Sequence, residues 1–324
     1  METDRRGTTM RRVEYARYGP PEVLTIVEAP RPFIRPGTVL VRVAASSLNA
    51  IDWKNRQGRF RAVTGLWRPR TRQGFDVAGT VLAVGAGVVG FRTGDRVFGL
   101  LGNFSGGAFA DEVLMRPGQL ELAPRGLGFT EIAGLPMAAT TAWQALFELG
   151  RLRPRQRLLV NGGSSGVGHF AIQLARAHGA NVTAVCSGRN ADFCKALGAD
   201  EVLDYAVRDF ARDRDRFDVV FDVVNNRSLI QVRSALRRHG TYVGTTPTPR
   251  LLFSILTTSQ AKFVAVSPRS DALAAIRALV EQGLVTTHVE RVYPLEEIVA
   301  AHRDAERQRT RGKLVILLDE RQRP

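Results

Sequence analysis

The fold is decided by LLVNGGSSGVGHFAIQLARAHG, residues 158–179. Three apolar residues are followed directly by a run rich in glycine and serine, and then by apolar residues at helical spacing. This order predicts a buried strand, a tight turn and a helix that packs on the strand. Glycine loses more backbone entropy on folding than any other residue, so its repeated use here indicates that the turn needs a bare backbone. The glycines are Gly162, Gly163, Gly166 and Gly168.

A turn of this kind brings backbone N–H groups to the amino terminus of a helix, where the helix dipole favours an anion. A side chain at Gly166 would stand where a pyrophosphate approaches, and Gly168 allows the helix to lie close to the strand. The spacing is G-x-x-x-G-x-G rather than the strict G-x-G-x-x-G, but it falls between a predicted strand and a predicted helix. The pattern predicts a dinucleotide-binding site. The alternative is a tight turn in a sheet that binds no ligand.

The end of the next predicted strand, NVTAVC, indicates which dinucleotide is bound. NAD enzymes place an acidic residue there to hold the ribose hydroxyls, but no acid occurs before Asp192. The hydroxyl of Ser187 and the guanidinium of Arg189 suit a 2′-phosphate, which favours NADP over NAD. The alternative is that residues 187–190 only cap the following helix.

The rest of the chain divides into two kinds of pattern. Short predicted strands with glycine-rich turns fill residues 10–125, which is typical of a compact β-barrel. From about residue 130 strands and helices alternate, so we expect a parallel sheet covered by helices on both faces. In that part we expect a helix at Thr140–Leu149 and another that runs to Arg238, before the strand TYVG. A helix at Asp271–Gln282 and a final strand, KLVILLD, follow, and the fold class is α/β.

The composition of the 324 residues, 44% hydrophobic and 24% charged, indicates a globular chain. No apolar run is long enough to span a bilayer, and no secretory signal is evident. The two cysteines, Cys186 and Cys194, fit a reducing compartment, so we expect a cytoplasmic protein without a membrane partner. The net charge of +15 can attract nucleic acid or another anion. Its arginines are scattered without a nucleic-acid motif, which argues against a nucleic-acid partner and fits a GC-rich genome.

Further segments extend the pattern over nearly the whole chain. They are SLNAIDWKNRQG at 47–58, GFDVAGTVLAVGAGVVGFRTGDRVFG at 74–99, LPMAATTAWQAL at 135–146, LGADEVLDY at 197–205 and the C-terminal return at 289–318. Together with the glycine turn they resemble the medium-chain dehydrogenase/reductase superfamily. Within it they are most similar to the zinc-independent quinone oxidoreductase group, which includes the reticulon-interacting protein type.

The resemblance implies two domains. A GroES-like β-barrel domain would comprise residues 10–128 and 268–324, closed by the C-terminal return. A Rossmann domain with a doubly wound parallel sheet, residues 129–267, would be inserted into it and would bind NADPH. Substrate would lie in the cleft between the domains, and since relatives are often dimers we expect a homodimer.

The resemblance also implies which residues contact NADPH. Ser165 stands where many relatives have glycine, a departure that is compatible with binding. Asn225 replaces a common glycine in the turn after DVV, so the geometry of that loop is less well defined. The expected cofactor-binding residues are Gly162, Gly163, Ser164, Ser165, Gly166, Val167, Ser187, Arg189, Tyr205 and Asn225.

Zinc-dependent relatives carry a cysteine in the first barrel loop and Gly-His-Glu at the start of a following strand. Here Asn49 occupies the loop, Gly74-Phe75-Asp76 occupies the strand start, and the five histidines show no ligand spacing. We therefore expect no metal site. Without a Lewis acid the oxidation of a simple alcohol is disfavoured, whereas a conjugated C=C bond is already activated by its carbonyl group.

The loop that corresponds to the cleft loop of the family carries the predicted catalytic residues. Asn49 would donate a hydrogen bond to the enolate oxygen, and Asp52 and Lys54 would position Asn49 or the nicotinamide ribose. The alternative for these three is a loop braced by its own hydrogen bonds. Thr140 would contact the nicotinamide through its hydroxyl, or would only begin a helix.

These observations predict a zinc-independent, NADPH-dependent oxidoreductase that reduces quinones or the C=C bond of conjugated enones. An enoyl reductase of a biosynthetic pathway is the second enzymatic alternative. The third is a cofactor-binding protein that acts mainly through nucleic-acid or protein binding, as the charge permits. The basic segment Arg59–Gln73 is either a rim on the substrate side or a surface loop.

Overall fold

The structure is a computed structural model that describes residues 8–319, except 68, 70, 71 and 103–105. Part of the basic segment Arg59–Gln73 and residues 320–324 of the expected barrel domain lie outside the described residues. The strands, in chain order, are β1 (Thr9–Glu14), β2 (Thr25–Pro30), β3 (Val39–Leu48), β4 (Asp76–Val84), β5 (Arg96–Leu100), β6 (Glu112–Met115), β7 (Leu120–Leu122), β8 (Arg157–Asn161), β9 (Asn181–Cys186), β10 (Glu201–Asp204), β11 (Phe217–Asp222), β12 (Leu236–Gly244), β13 (Ala261–Phe263), β14 (Val289–Pro294) and β15 (Lys313–Leu317).

The helices are short, and none in the described ranges combines the length and apolar composition needed to cross a membrane. They are α1 (Ala50–Arg56), α2 (Arg61–Thr64), α3 (Phe129–Ala133), α4 (Pro136–Trp143), α5 (Gly168–Ala177), α6 (Ala191–Ala196), α7 (Leu229–Val232), α8 (Pro249–Thr257), α9 (Ser270–Glu281) and α10 (Ile298–Glu306). A π-helical stretch, Gln144–Leu149, continues α4.

Six strands form a parallel sheet in the order β10-β9-β8-β11-β12-β13. This is the strand order of a doubly wound nucleotide-binding fold. β8, which comes first along the chain among these six strands, lies where the winding reverses. Both faces of the sheet are covered, because Leu158 and Val160 enter one hydrophobic core and Leu159 enters another. The predicted Rossmann architecture is confirmed.

Seven strands form the barrel sheet, in the order β14-β15-β3-β4-β5-β7 with β6 paired to β3. The C-terminal return closes it, since β15 runs antiparallel to β3, with Leu314 opposite Leu48, and parallel to β14. This is the predicted GroES-like β-barrel. One hydrophobic core continues from barrel residues such as Ala45 and Phe98 through α3 and α4 to the parallel sheet, so the two units pack on each other.

Two expected helices differ from the structure. The helix expected to run to Arg238 is wrong, because α7 ends at Val232 and β12 already begins at Leu236. Leu236 pairs with Phe217 of β11 and Thr241 pairs with Val219, so residues 237–240 lie at a register shift inside β12 rather than in a helix. The helix expected at Thr140–Leu149 begins earlier, at Pro136, because proline has the backbone angle of a first helical residue and needs no N–H there.

Candidate active site

A cavity of about 260 Å³ lies between the barrel and the parallel sheet. The cavity is lined by Asn49, Ala50, Trp53 and Lys54 of the cleft loop and α1, by the glycine turn at Ser165–Val167, and by Gly312–Leu314 of the C-terminal return. A larger groove of about 960 Å³ is lined by residues at the opposite, amino-terminal ends of β8, β11 and β12. Ligands of such sheets bind beyond the carboxyl ends of the strands, so the smaller cavity is the candidate active site.

The glycine turn has the geometry that a dinucleotide cradle needs. Gly162 has a φ of +95°, which favours glycine, and a Cβ on Gly168 would lie 2.0 Å from the Gly162 oxygen. The close approach of helix to strand that we expected at Gly168 is therefore present. Ser165 closes the turn itself: its hydroxyl donates to the Gly162 oxygen at 2.7 Å and accepts from the Gly168 N–H at 3.1 Å. A serine is thus readily accommodated in this turn.

Gly166 has a neighbour that the sequence did not reveal. A Cβ at this position would lie 3.2 Å from the Gly312 oxygen and 3.3 Å from Cδ of Lys313. The C-terminal return thus packs directly on the turn, and the Gly312 N–H donates to the Ser164 oxygen at 3.0 Å. The lack of a side chain at Gly166 serves this packing, whether or not a pyrophosphate also approaches.

The residues expected to bind the 2′-phosphate lie in a turn after β9. Arg189 is exposed and has no ion pair within the described part of the chain. The Ser187 hydroxyl makes no capping hydrogen bond; the turn is closed by the Ser187 carbonyl, which accepts from the Asn190 N–H at 2.8 Å. Tyr205 is 66% exposed just beyond β10. Asp204 was not identified from the sequence as a neighbour of this turn. Its carboxylate lies so close that a Cβ on Gly188 would be 2.6 Å from Oδ2 of Asp204.

Asn225 ties two loops together with its side chain. Its φ of +59° is a left-handed conformation that asparagine tolerates better than most residues, which explains how it replaces glycine. Oδ1 accepts from the N–H groups of Thr245 and Thr246 at 2.8 and 2.9 Å. Nδ2 donates to the Val223 oxygen at 2.9 Å and to the Thr245 hydroxyl. The backbone N–H of Asn225 is also in use, since it donates to Oδ1 of Asp222 at 2.8 Å, so Asn225 shapes these loops mainly through bonds within the protein.

Asp52 braces the cleft loop. It is fully buried, and its carboxylate accepts from the N–H groups of Asn49 at 2.8 Å and Gly74 at 2.9 Å. Burial raises the pKa of Asp52 to about 7, against these two hydrogen bonds. Asp52 does not line the cavity, so its contacts fit the positioning of Asn49, or a loop braced by its own hydrogen bonds, rather than contact with a ribose.

Asn49 lines the cavity, but both protons of its amide are already donated. Nδ2 donates to Oδ2 of Asp76 at 2.8 Å and to the Ser47 oxygen at 3.1 Å, while Oδ1 accepts from Nζ of Lys313 at 2.7 Å. The role predicted for Asn49, donation to a substrate oxygen, does not fit this arrangement. Asp76 and Lys313 were not identified from the sequence as partners of Asn49. Each is a charged residue in an otherwise mostly apolar strand, Asp76 in β4 and Lys313 in β15, and this pattern could have indicated them.

Lys54 and Thr140 differ in how they relate to the cavity. Lys54 lines it, and its Nζ donates one long hydrogen bond, 3.3 Å, to the hydroxyl of Thr246 on the other unit. Burial and the neighbouring Arg59 lower the pKa of Lys54, and no carboxylate pairs with it among the described residues. Thr140 does not line the cavity, although its buried hydroxyl finds no hydrogen-bond partner in the described part of the structure.

Comparisons with known proteins show the family of the chain. The alcohol dehydrogenase GroES-like domain matches residues 35–125, and the zinc-binding dehydrogenase family matches residues 197–316. The chloroplast envelope quinone oxidoreductase homolog of Arabidopsis thaliana is 32% identical over 96% of this chain and 99% of its own length. The chain belongs to the quinone oxidoreductase-like branch of the medium-chain dehydrogenase/reductase superfamily. The resemblance inferred from the motifs is confirmed.

Two further relatives cover the chain almost completely. The 2-methylene-furan-3-one reductase of Solanum lycopersicum is 33% identical over 95% of this chain and 79% of its own length. The solved quinone oxidoreductase of Coxiella burnetii is 30% identical, covers 96% of this chain and 100% of its own, and has a TM-score of 0.87. The chain is thus an oxidoreductase of a superfamily that uses a nicotinamide cofactor.

The matching family is described as zinc-binding, but the residues of this chain do not fit the metal. The described residues contain no group of three or more His, Cys, Asp or Glu side chains that could hold an ion. At the cleft, Asp76 is already bound by the Ser47 hydroxyl, the Asn49 amide and the Met137 N–H. A tetrahedral set of zinc ligands does not fit this place.

Proposed function

We propose that the protein is an NADPH-dependent reductase of quinones and conjugated enones that works without zinc. The names of its relatives, quinone oxidoreductases and a furanone C=C reductase, support this reaction class. The residues at the cleft support a mechanism without zinc, since they offer a lysine and a buried amide network instead of metal ligands. NADPH, when bound, would supply the hydride.

The chain's own residues would hold NADPH along the carboxyl edge of the parallel sheet. In the glycine turn, the N–H groups of Gly162, Gly163 and Ser165 already donate within the fold, so the pyrophosphate would be met by the remaining N–H groups of residues 164–167 at the start of α5. Ser187 and Arg189 suit the 2′-phosphate, and Tyr205 lies exposed beyond the neighbouring strand. The Thr140 hydroxyl has no hydrogen-bond partner in the described part of the structure, but it is fully buried and does not line the cavity, so we do not assign it a contact with the cofactor.

The observation that carries the proposal is Lys54, a cation without an ion pair in the described residues, at the wall of the cavity that the glycine turn also lines. Hydride addition to the β-carbon of an enone moves an electron pair to the carbonyl oxygen and leaves an enolate. The Lys54 ammonium can donate a hydrogen bond to that oxygen, and water can supply the proton that the α-carbon then takes up. Reduction of a quinone likewise places negative charge on an oxygen.

The test compares substrates and variants of the purified protein. NADPH should be consumed rapidly with quinones and conjugated enones, and hardly at all with saturated ketones of the same size. Lys54→Met should lower kcat for enones by about a hundred- to a thousandfold, as removal of an oxyanion donor does, with the Kd of NADPH little changed. Lys262→Met, in β13, is the matched control and should leave kcat unchanged. Rapid oxidation of simple alcohols would refute the reaction class, and full kcat in Lys54→Met would refute the role of Lys54.

A further inference from the structure

Lys313 is a buried charge next to the candidate active site. It begins β15, it is only 3% exposed, and its Nζ lies 2.7 Å from Oδ1 of Asn49, 3.4 Å from the Leu48 oxygen and 3.8 Å from Oδ2 of Asp76. Removing an ammonium from water is expensive in free energy, and an apolar side chain of similar volume is often as good for stability. The stability of the barrel alone therefore does not account for a lysine here.

The hydrogen bonds around Lys313 indicate an ion pair rather than a free cation. Asp76 accepts from three donors, the Ser47 hydroxyl, the Asn49 amide and the Met137 N–H, and its Oδ2 lies 3.8 Å from Nζ of Lys313. Burial raises the pKa of Asp76 and lowers the pKa of Lys313, but the attraction between the two groups opposes both shifts. The positive charge of Lys313 is therefore balanced by Asp76. Lys313 is thus poorly suited to bind a substrate oxygen itself, in contrast to Lys54.

The acceptor of Lys313 begins the helix that carries Lys54. Asn49 is the cap of α1, its N–H is held by the Asp52 carboxylate, and Lys54 is the fifth residue of that helix. Lys313 and Asp76 hold the two ends of the Asn49 carboxamide, so its orientation is fixed. The backbone beside Lys313 also holds the cofactor side, through the bond from Gly312 to Ser164.

We propose that Lys313 is a positioning residue, whose ammonium holds the Asn49 carboxamide and thereby the turn of α1 that presents Lys54 to the substrate. The inference rests on the proposed function, since it assigns to Lys313 an effect exerted through Lys54. Methionine at position 313 would leave Oδ1 of Asn49 without its donor and Asp76 without its counterion. The first turn of α1 would then be free to shift, and a misplacement of about 1 Å can cost a hundredfold in rate.

A double-mutant cycle on the full chain tests this. Lys313→Met should lower kcat for enone reduction by about 10- to 100-fold in the wild-type background, with the Kd of NADPH little changed. In the Lys54→Met background it should lower kcat no further, because Lys54 is already absent. Lys313→Arg keeps the charge and should recover part of the rate. Lys262→Met again serves as the control.

Three results would overturn the inference. One is an equal loss of kcat from Lys313→Met in both backgrounds, which would show that Lys313 acts independently of Lys54. Another is a lower melting temperature with unchanged kcat for each folded molecule, which would show a purely structural role. Full kcat in Lys54→Met alone would refute the proposed function first, and the inference with it. If Lys313→Met does not fold, the same double-mutant cycle is measured with Lys313→Arg. Its loss of kcat should be smaller, and it should again be absent in the Lys54→Met background.

Discussion

Arg189 lies in an exposed turn beside Ser187, with no ion pair in the described residues to hold it. If its guanidinium binds the 2′-phosphate, Arg189→Ala should weaken NADPH by about ten- to a hundredfold and leave NADH unaffected, since one charge-assisted contact is worth about 1.5 to 3 kcal/mol. Fluorescence titration with both cofactors measures this. Arg214→Ala, at another exposed arginine, is the control, and an equal loss for both cofactors would show that Arg189 supports the loop instead.

Asp52 links the stability of the cleft loop to pH. Burial raises its pKa from 3.8 to about 7, so the folded protein prefers the protonated form. Its contribution to the free energy of unfolding is fully present below pH 3.8 and is lost as pH rises through about 7, by at most about 1.4 kcal/mol per pH unit. Asp52→Asn cannot titrate and should be destabilised by a constant amount from its altered hydrogen bonds.

The wild type should therefore exceed Asp52→Asn in free energy of unfolding by less at pH 7.5 than at pH 5. Urea unfolding of both proteins at the two pH values measures it. Burial lowers the pKa values of His169 and His302 to about 3, so these residues make the fold more stable as pH rises. Both histidines are present in the two proteins, so their effect cancels in the difference. A gap independent of pH would place the pKa of Asp52 in its ordinary range.

At the scale of elements, the strands and helices whose residues follow a characteristic pattern along the chain could be predicted from the sequence. The strand, turn and helix at residues 157–177 could be predicted because three apolar residues, a glycine turn and helical spacing follow one another. The start of β12 could not, since Leu236 joins the sheet only by pairing with Phe217 of β11, and Arg237 and Arg238 follow it at a register shift. The same holds for the site: Lys54 was identified from its loop, whereas Lys313 meets Asn49 only after β15 pairs with β3.

Asn225 joins the loops after β11 and β12. Its side chain accepts hydrogen bonds and its backbone adopts a left-handed conformation, and substitutions can separate these two contributions to stability. Asn225→Gly keeps the left-handed backbone but leaves the N–H groups of Thr245 and Thr246 without their acceptor, which should cost about 1 to 3 kcal/mol of unfolding free energy. Asn225→Ala should cost about 1 to 2 kcal/mol more, because alanine disfavours a φ of +59°. Equal losses in urea unfolding would show that the backbone has relaxed out of this conformation.

At the scale of the whole molecule, the candidate site depends on both units and on the C-terminal return. Lys54 of α1 reaches Thr246 after β12, and Gly312 reaches Ser164 in the glycine turn. A cofactor that lies in this cleft would therefore be bordered by both units and by the C-terminal return. The charge that it meets on approach is that of the entire chain, 46 Lys and Arg against 31 Asp and Glu.

That net charge of +15 should accelerate the association of an anionic cofactor. Between about 0.01 and 0.1 M ionic strength the Debye length falls from about 30 to 10 Å, so the long-range field is screened while contacts in the site persist. The association rate constant of NADPH should fall by about tenfold over this range, and its dissociation rate should change little. NADH carries one phosphate group fewer and serves as the internal control, with a smaller salt dependence. Stopped-flow fluorescence measures both rates, and an NADPH association rate constant that does not change with ionic strength would mean that the net charge does not steer the cofactor.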